Sequence, residues 1–182
     1  MQPLEFPTSR LKEDPEFNAS ETRKILQELF PTRKLVLSQF TFFNQIGVSK
    51  PSGESFRRGR RCYRAQDLLP IAVVLALKEQ GIPNKNILLV PGVIQENCEK
   101  IFKSNDNVKI SGYKDSVSLN YAEEGKEDLA LNSMLESLDF DHSEQNLYWS
   151  YDVSSLAHEI EAIVNRLFSV ETRTSTQLRA VA

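Results

Sequence analysis

Residues 64 to 82 read Arg64-Ala65-Gln66-Asp67-Leu68-Leu69-Pro70-Ile71-Ala72-Val73-Val74-Leu75-Ala76-Leu77-Lys78-Glu79-Gln80-Gly81-Ile82. Asp67 is placed to cap a helix whose first turn tolerates Pro70, and Gly81 offers the left-handed residue that closes such a helix after Gln80. Ile71, Val74, Leu75 and Leu77 give it an apolar content suited to packing. Downstream, Ile82-Pro83-Asn84 forms a corner into a short helical stretch with Ile87, Leu88 and Leu89, and Pro91 starts or kinks the next helix, through Ile94, Cys98, Ile101 and Phe102. Residues 108 to 121 alternate (Val108, Ile110, Val117, Leu119, Tyr121) as a hairpin turning near Gly112 to Asp115. Residues 123 to 141 hold an amphipathic helix with Leu129, Leu131, Met134, Leu135 and Leu138, its charges forming a solvated face. Asp152 or Ser154 caps a last helix in which Leu156, Ile160, Ile163, Val164 and Leu167 recur at the helical period.

Upstream, Ser20 reads as the cap of a helix over residues 21 to 30, with Ile25, Leu26, Leu29 and Phe30 on one side and Pro31 as its stop. The apolar stretch 35 to 46 fits strand or helix, and helix is the better reading; Gly47-Val48-Ser49 then turns the chain. These elements make an α+β, mainly helical protein. Its expected parts are a flexible arm (residues 1 to 19, three prolines), a helical segment (20 to 104) and an acidic hairpin with helices (105 to 169) that shares the domain or stands apart. A disordered tail (170 to 182) ends it.

The chain has 182 residues, 40% hydrophobic and 26% charged, which excludes wholesale disorder and allows a core without metal or disulfide staples. The net charge of −3 hides a polarity. Twelve bases face seven acids in residues 1 to 64, whereas residues 115 to 161 hold one base, Lys126, against twelve acids. The front half attracts anions that the back half repels. Cys62 and Cys98 lie far apart without metal-ligand spacing, and no run reaches the ~20 apolar residues of a membrane span. A reduced, cytoplasmic protein that does not enter a membrane is expected.

Signatures of catalysis are missing: no glycine-rich phosphate loop, no histidines one helical turn apart, no nucleophile elbow. His142 and His158 stand alone, and Cys62 between Arg61 and Tyr63 has no histidine partner. No enzyme, metal or cofactor is expected.

The unusual stretch is Phe56-Arg57-Arg58-Gly59-Arg60-Arg61-Cys62-Tyr63-Arg64, five arginines in nine positions after Pro51, Ser52 and Gly53 have ruled out a regular element. Guanidinium groups are permanently charged, bind phosphate in bidentate fashion and stack on bases, and five together repel one another unless anions compensate. A solvated basic loop neutralised by the acidic half is the bland reading. The functional one is an anion site: Arg57, Arg58, Arg60, Arg61 and Arg64 contact phosphates and bases, Gly59 lets the backbone turn close to a ligand, and Phe56 or Tyr63 supplies a stacking face. Arg64 and Asp67 suit guanine, whose O6 and N7 accept from an arginine while a carboxylate accepts from its N1 and N2 hydrogens. Asp67 as a plain helix cap explains the pair equally well.

Residues 59 to 68, Gly59-Arg60-Arg61-Cys62-Tyr63-Arg64-Ala65-Gln66-Asp67-Leu68, with the following helix and its Gly81-Ile82 end, resemble the second half of a MerR-type winged-helix domain. The likeness covers roughly residues 37 to 87 and implies a degenerate MerR-like segment. In that family a recognition helix and a longer loop follow the turn at Gly47-Val48-Ser49. Here Pro51 and Gly53 interrupt the segment, which argues against direct readout of DNA. With the acidic C-terminal portion, the arrangement resembles the cyanobacterial cyclic-di-GMP receptor family associated with cell-size control. That resemblance implies a non-enzymatic receptor that binds cyclic di-GMP and regulates transcription through a CRP-class factor. From cyclic-di-GMP sites in general, only the arginines and Arg64-x-x-Asp67 carry over to this chain. A homodimer is compatible with this reading. Two alternatives stay open: a DNA-binding regulator using the same arginines on backbone phosphates, and an adaptor whose acidic face meets a basic protein.

Overall fold

The computed structural model describes residues 15–57, 59–104, 107–113, 116–122 and 149–179. It is mainly helical with a small antiparallel sheet, the α+β class expected. Helix α1, Ala19–Leu29, is capped by Asn18, whose Oδ1 accepts from the N–H groups of Ser20 at 2.9 Å and Glu21 at 3.0 Å. Glu21 completes a capping box by accepting from the Asn18 N–H at 2.7 Å. The cap is thus two residues before Ser20, which sits inside the first turn. Helix α2, Leu37–Gln45, turns Phe40 and Phe43 inward and ends at Gly47, whose φ of 76° is the left-handed region open to glycine.

A two-stranded hairpin follows, β1 (Phe56–Arg57) against β2 (Arg60–Arg61), with Arg57 opposite Arg60 and Gly59 at φ 73° in the turn. Helix α3, Ala65–Glu79, lies at the centre: apart from Gln66, every residue from Ala65 to Leu77 is buried. It starts two residues before Asp67, and Gly81 (φ 76°) closes it as the sequence implies. A short helix α4 (Asn84–Ile87) leads to α5 (Val90–Lys103), which carries Pro91 in its first turn, where a missing N–H costs nothing.

Strands β3 (Asn107–Tyr113) and β4 (Ser116–Ala122) form the expected hairpin, and a third strand, β5 (Trp149–Asp152), joins the other side of β3. Sequence reading missed β5 because four residues are too few to show a period. Gly112 lies opposite Trp149, and a Cβ there would come within 2.4 Å of the indole, so the ring rests on bare backbone. Helix α6, Val153–Arg179, starts on Asp152, whose Oδ1 accepts from the Ser155 N–H at 3.0 Å and the Ser154 hydroxyl at 2.8 Å. Residues 170 to 179 continue this helix, contrary to the disordered tail expected there. The acidic stretch 123 to 141, read as an amphipathic helix, lies outside the described residues.

Helix α3 packs on α5 and α6, and α6 also meets α1 and β3, so one contiguous core joins the front and back of the chain. The end of the N-terminal arm belongs to that core rather than to a loose segment. Phe17 is fully buried, exchanges backbone hydrogen bonds with Tyr63 (2.8 and 2.7 Å) and places its ring 4.7 Å from that of Phe168. No helix among the described residues is long and apolar enough to cross a membrane.

Candidate functional site

The arginine hairpin is held from two sides. Gly53 donates its N–H to the Cys62 carbonyl at 2.9 Å, so close that a Cβ would lie 2.6 Å from that oxygen, and Cys62 donates to the Ser55 carbonyl at 3.2 Å. The backbone passage at Gly53 therefore needs glycine. From the other side, the Glu16 carboxylate accepts from the N–H groups of Glu54 (2.6 Å) and Ser55 (2.9 Å). The Ser55 hydroxyl, these N–H groups and the Arg64 charge hold its pKa at about 2, well below the usual carboxylate value.

This clamp sets β1 and β2 across from the first turn of α1 and one face of α2. Between them lies a cleft of about 1210 Å³. Among the described residues, its cations are Arg57, Arg60 and Arg61 from the hairpin and Lys24 from α1, and its one lining carboxylate is Glu21. Asn18 and Ser20 sit at the α1 end, while α2 contributes Leu37, Phe40, Thr41, Asn44 and Gln45. Among the described residues four cations thus face one carboxylate, which gives the recess a net positive field.

Arg57 reaches across to α1, its Nη1 lying 3.1 and 3.2 Å from the two carboxylate oxygens of Glu21. Arg60 is exposed and has no ion pair among the described residues; Arg61 is exposed beside it. Tyr63, a candidate stacking face, is only 3% exposed, and its ring packs edge-on to Phe40 with centroids 6.5 Å apart. What it gives the cleft is a hydroxyl, which accepts from Asn44 Nδ2 at 2.7 Å, and burial pushes its pKa up. The Asn44 Oδ1 atom is buried and has no hydrogen-bond partner.

The structure does not bring Arg64 and Asp67 to this cleft. Arg64 pairs with Glu16 (3.5 Å) and Glu54 (3.4 Å). Asp67 occupies the third position of α3 and turns inward: its Oδ2 accepts from the Arg64 N–H (2.8 Å), the Ser52 N–H (2.8 Å) and the Ser52 hydroxyl (2.9 Å). It borders a separate cavity of about 300 Å³ with Gln66, Cys98 and Glu99, and burial pushes its pKa up. In the Arg-x-x-Asp spacing, Asp67 thus accepts from the Arg64 N–H at the start of α3 and also ties down Ser52, an arrangement nearer the plain cap than a ligand contact. Arg58 lies outside the described residues, and Phe56 is placed only as a member of β1.

Sequence reasoning missed Lys24, Glu21, Asn44 and Gln45 as members of the site. Their signal is tertiary: the pairing of Phe17 with Tyr63, the Glu16 clamp and the Arg57–Glu21 contact set α1 beside the hairpin. Among the described residues no cluster of His, Cys, Asp and Glu could hold a metal ion. A scan against protein-family models finds none that matches this chain, and a search of curated proteins finds no match.

Proposed function

We propose that the protein is a non-enzymatic receptor for cyclic di-GMP, held in the arginine-lined cleft, and that it regulates transcription through a CRP-class factor. The observation that carries this is the grouping of Arg57, Arg60, Arg61 and Lys24 around one recess of about 1210 Å³. A volume above the ~300–1,000 Å³ of ordinary small-molecule pockets suits a dinucleotide. Its two phosphates match a recess in which cations outnumber carboxylates, and its bases meet amides, hydroxyls and the arginine planes. The succession of two helices, a two-stranded hairpin and a third helix supports the resemblance to MerR-type domains and, with it, to the cyanobacterial receptor family that supplies the partner class. Helix α2 carries no lysine or arginine, which favours a small ligand over DNA as the anion.

Isothermal titration of the full chain with cyclic di-GMP should give micromolar or tighter binding. Each charge-assisted contact is worth about 1.5–3 kcal/mol, so replacing Arg60 and Arg61 together by alanine should weaken binding by roughly a hundredfold or more. Absence of heat with the wild-type protein, or unchanged affinity in the double variant, overturns the reading. Duplex DNA binding that weakens steeply with salt would instead mark the arginines as backbone contacts.

A further inference from the structure

We infer that Glu21 and Arg57 together form the guanine-reading pair of the cleft, Glu21 accepting from the N1 and N2 hydrogens of the base and Arg57 donating to its O6 and N7. This rests on the proposed receptor reading and assigns the residues that give it base specificity.

Guanine needs an acceptor and a donor side by side along one continuous edge, because O6 lies between N7 and N1. The acceptor cannot be Asp67, which is buried in another part of the structure and already receives three hydrogen bonds on one oxygen. Among the described residues Glu21 is the one carboxylate lining the cleft. It stands in contact with Arg57, on a different element and thirty-six positions away in the chain, with Nη1 at 3.1 Å. The pair occupies Arg57 through Nη1 alone, which leaves Nε and Nη2 of this half-exposed side chain to face a ligand. The carboxylate is positioned independently of any ligand, since its Oε2 accepts from the Asn18 N–H at 2.7 Å in the α1 capping box. A carboxylate fixed by a helix end beside a guanidinium fixed by a hairpin is preorganised, and it disfavours adenine, whose N1 is an acceptor that the carboxylate repels.

The test compares cyclic di-GMP with cyclic di-AMP on the wild type and Glu21→Gln by isothermal titration. Glutamine preserves the capping box, so α1 should stay folded, and thermal melting by circular dichroism checks that. The wild type should prefer cyclic di-GMP; Glu21→Gln should lose about tenfold or more in affinity for it and give up most of that preference. Glu21→Asp, which keeps the charge, should retain part of the preference. A wild type that binds cyclic di-GMP while Glu21→Gln discriminates equally well overturns this assignment and leaves the receptor reading intact. Tighter binding by Glu21→Gln also overturns it, marking the carboxylate as a competitor for Arg57. A wild type that binds neither dinucleotide removes the receptor reading and the assignment with it.

Discussion

Pro70 has no N–H to give the carbonyl of Gln66 four residues before it, and the thiol of Cys98 on α5 donates to that oxygen at 3.1 Å instead. Burial pushes the Cys98 pKa up to about 12, so the thiol stays protonated and remains a donor throughout the physiological range. Cys98→Ala leaves the carbonyl unpaired and should cost about 1–3 kcal/mol in urea denaturation, whereas Cys98→Ser, which retains a donor, should cost less. The sequence showed Cys98 as an apolar position on a helix, and no more, because its partner is thirty-two positions distant. Asp67 shows the same limit from the other direction. Its place at the start of α3 was legible, but the Ser52 groups that bond its Oδ2 come from a loop whose path no local pattern encodes.

At the scale of elements, the arm and the hairpin behave as one unit through Glu16. Its folded pKa of about 2 lies below the ordinary 4.5, so the unfolded chain takes up the proton more readily. Its contribution to stability is therefore fully present above pH 4.5 and is lost as pH falls from there toward 2. Glu16→Gln should be less stable than wild type at neutral pH and should lose stability less steeply across that acidic window, as read by urea denaturation at several pH values. The helices were largely legible because capping residues and apolar periods are local signals: α3 with Gly81, α5 with Pro91 and α6 with Asp152 all lie where those signals put them. The two-residue strands of the arginine hairpin were not, since their pairing depends on Gly53 passing close to Cys62 and on Glu16 gripping the loop.

Across the whole molecule, Phe17 joins three distant parts of the chain: its own arm, Tyr63 behind the hairpin, and Phe168 on α6. Truncating a fully buried phenylalanine typically costs about 3–5 kcal/mol, and Phe17→Ala should show that loss in denaturation. It should also speed tryptic cutting within the arginine hairpin at temperatures where the rest of the chain remains folded, because the segment bridged to Tyr63 that braces the hairpin would detach. The charge polarity and the general class of fold were open to sequence reading. Where α1 and Phe17 meet α6 was not, because it follows from long-range packing alone.

That meeting bears on biosynthesis. The described residues that line the cleft lie between Asn18 and Tyr63, so a translating ribosome delivers them well before α6. Yet α1, the wall bearing Glu21 and Lys24, is packed against α6, which is made much later. A nascent chain held on the ribosome before α6 emerges thus carries the arginine hairpin before α1 has the helix it packs against.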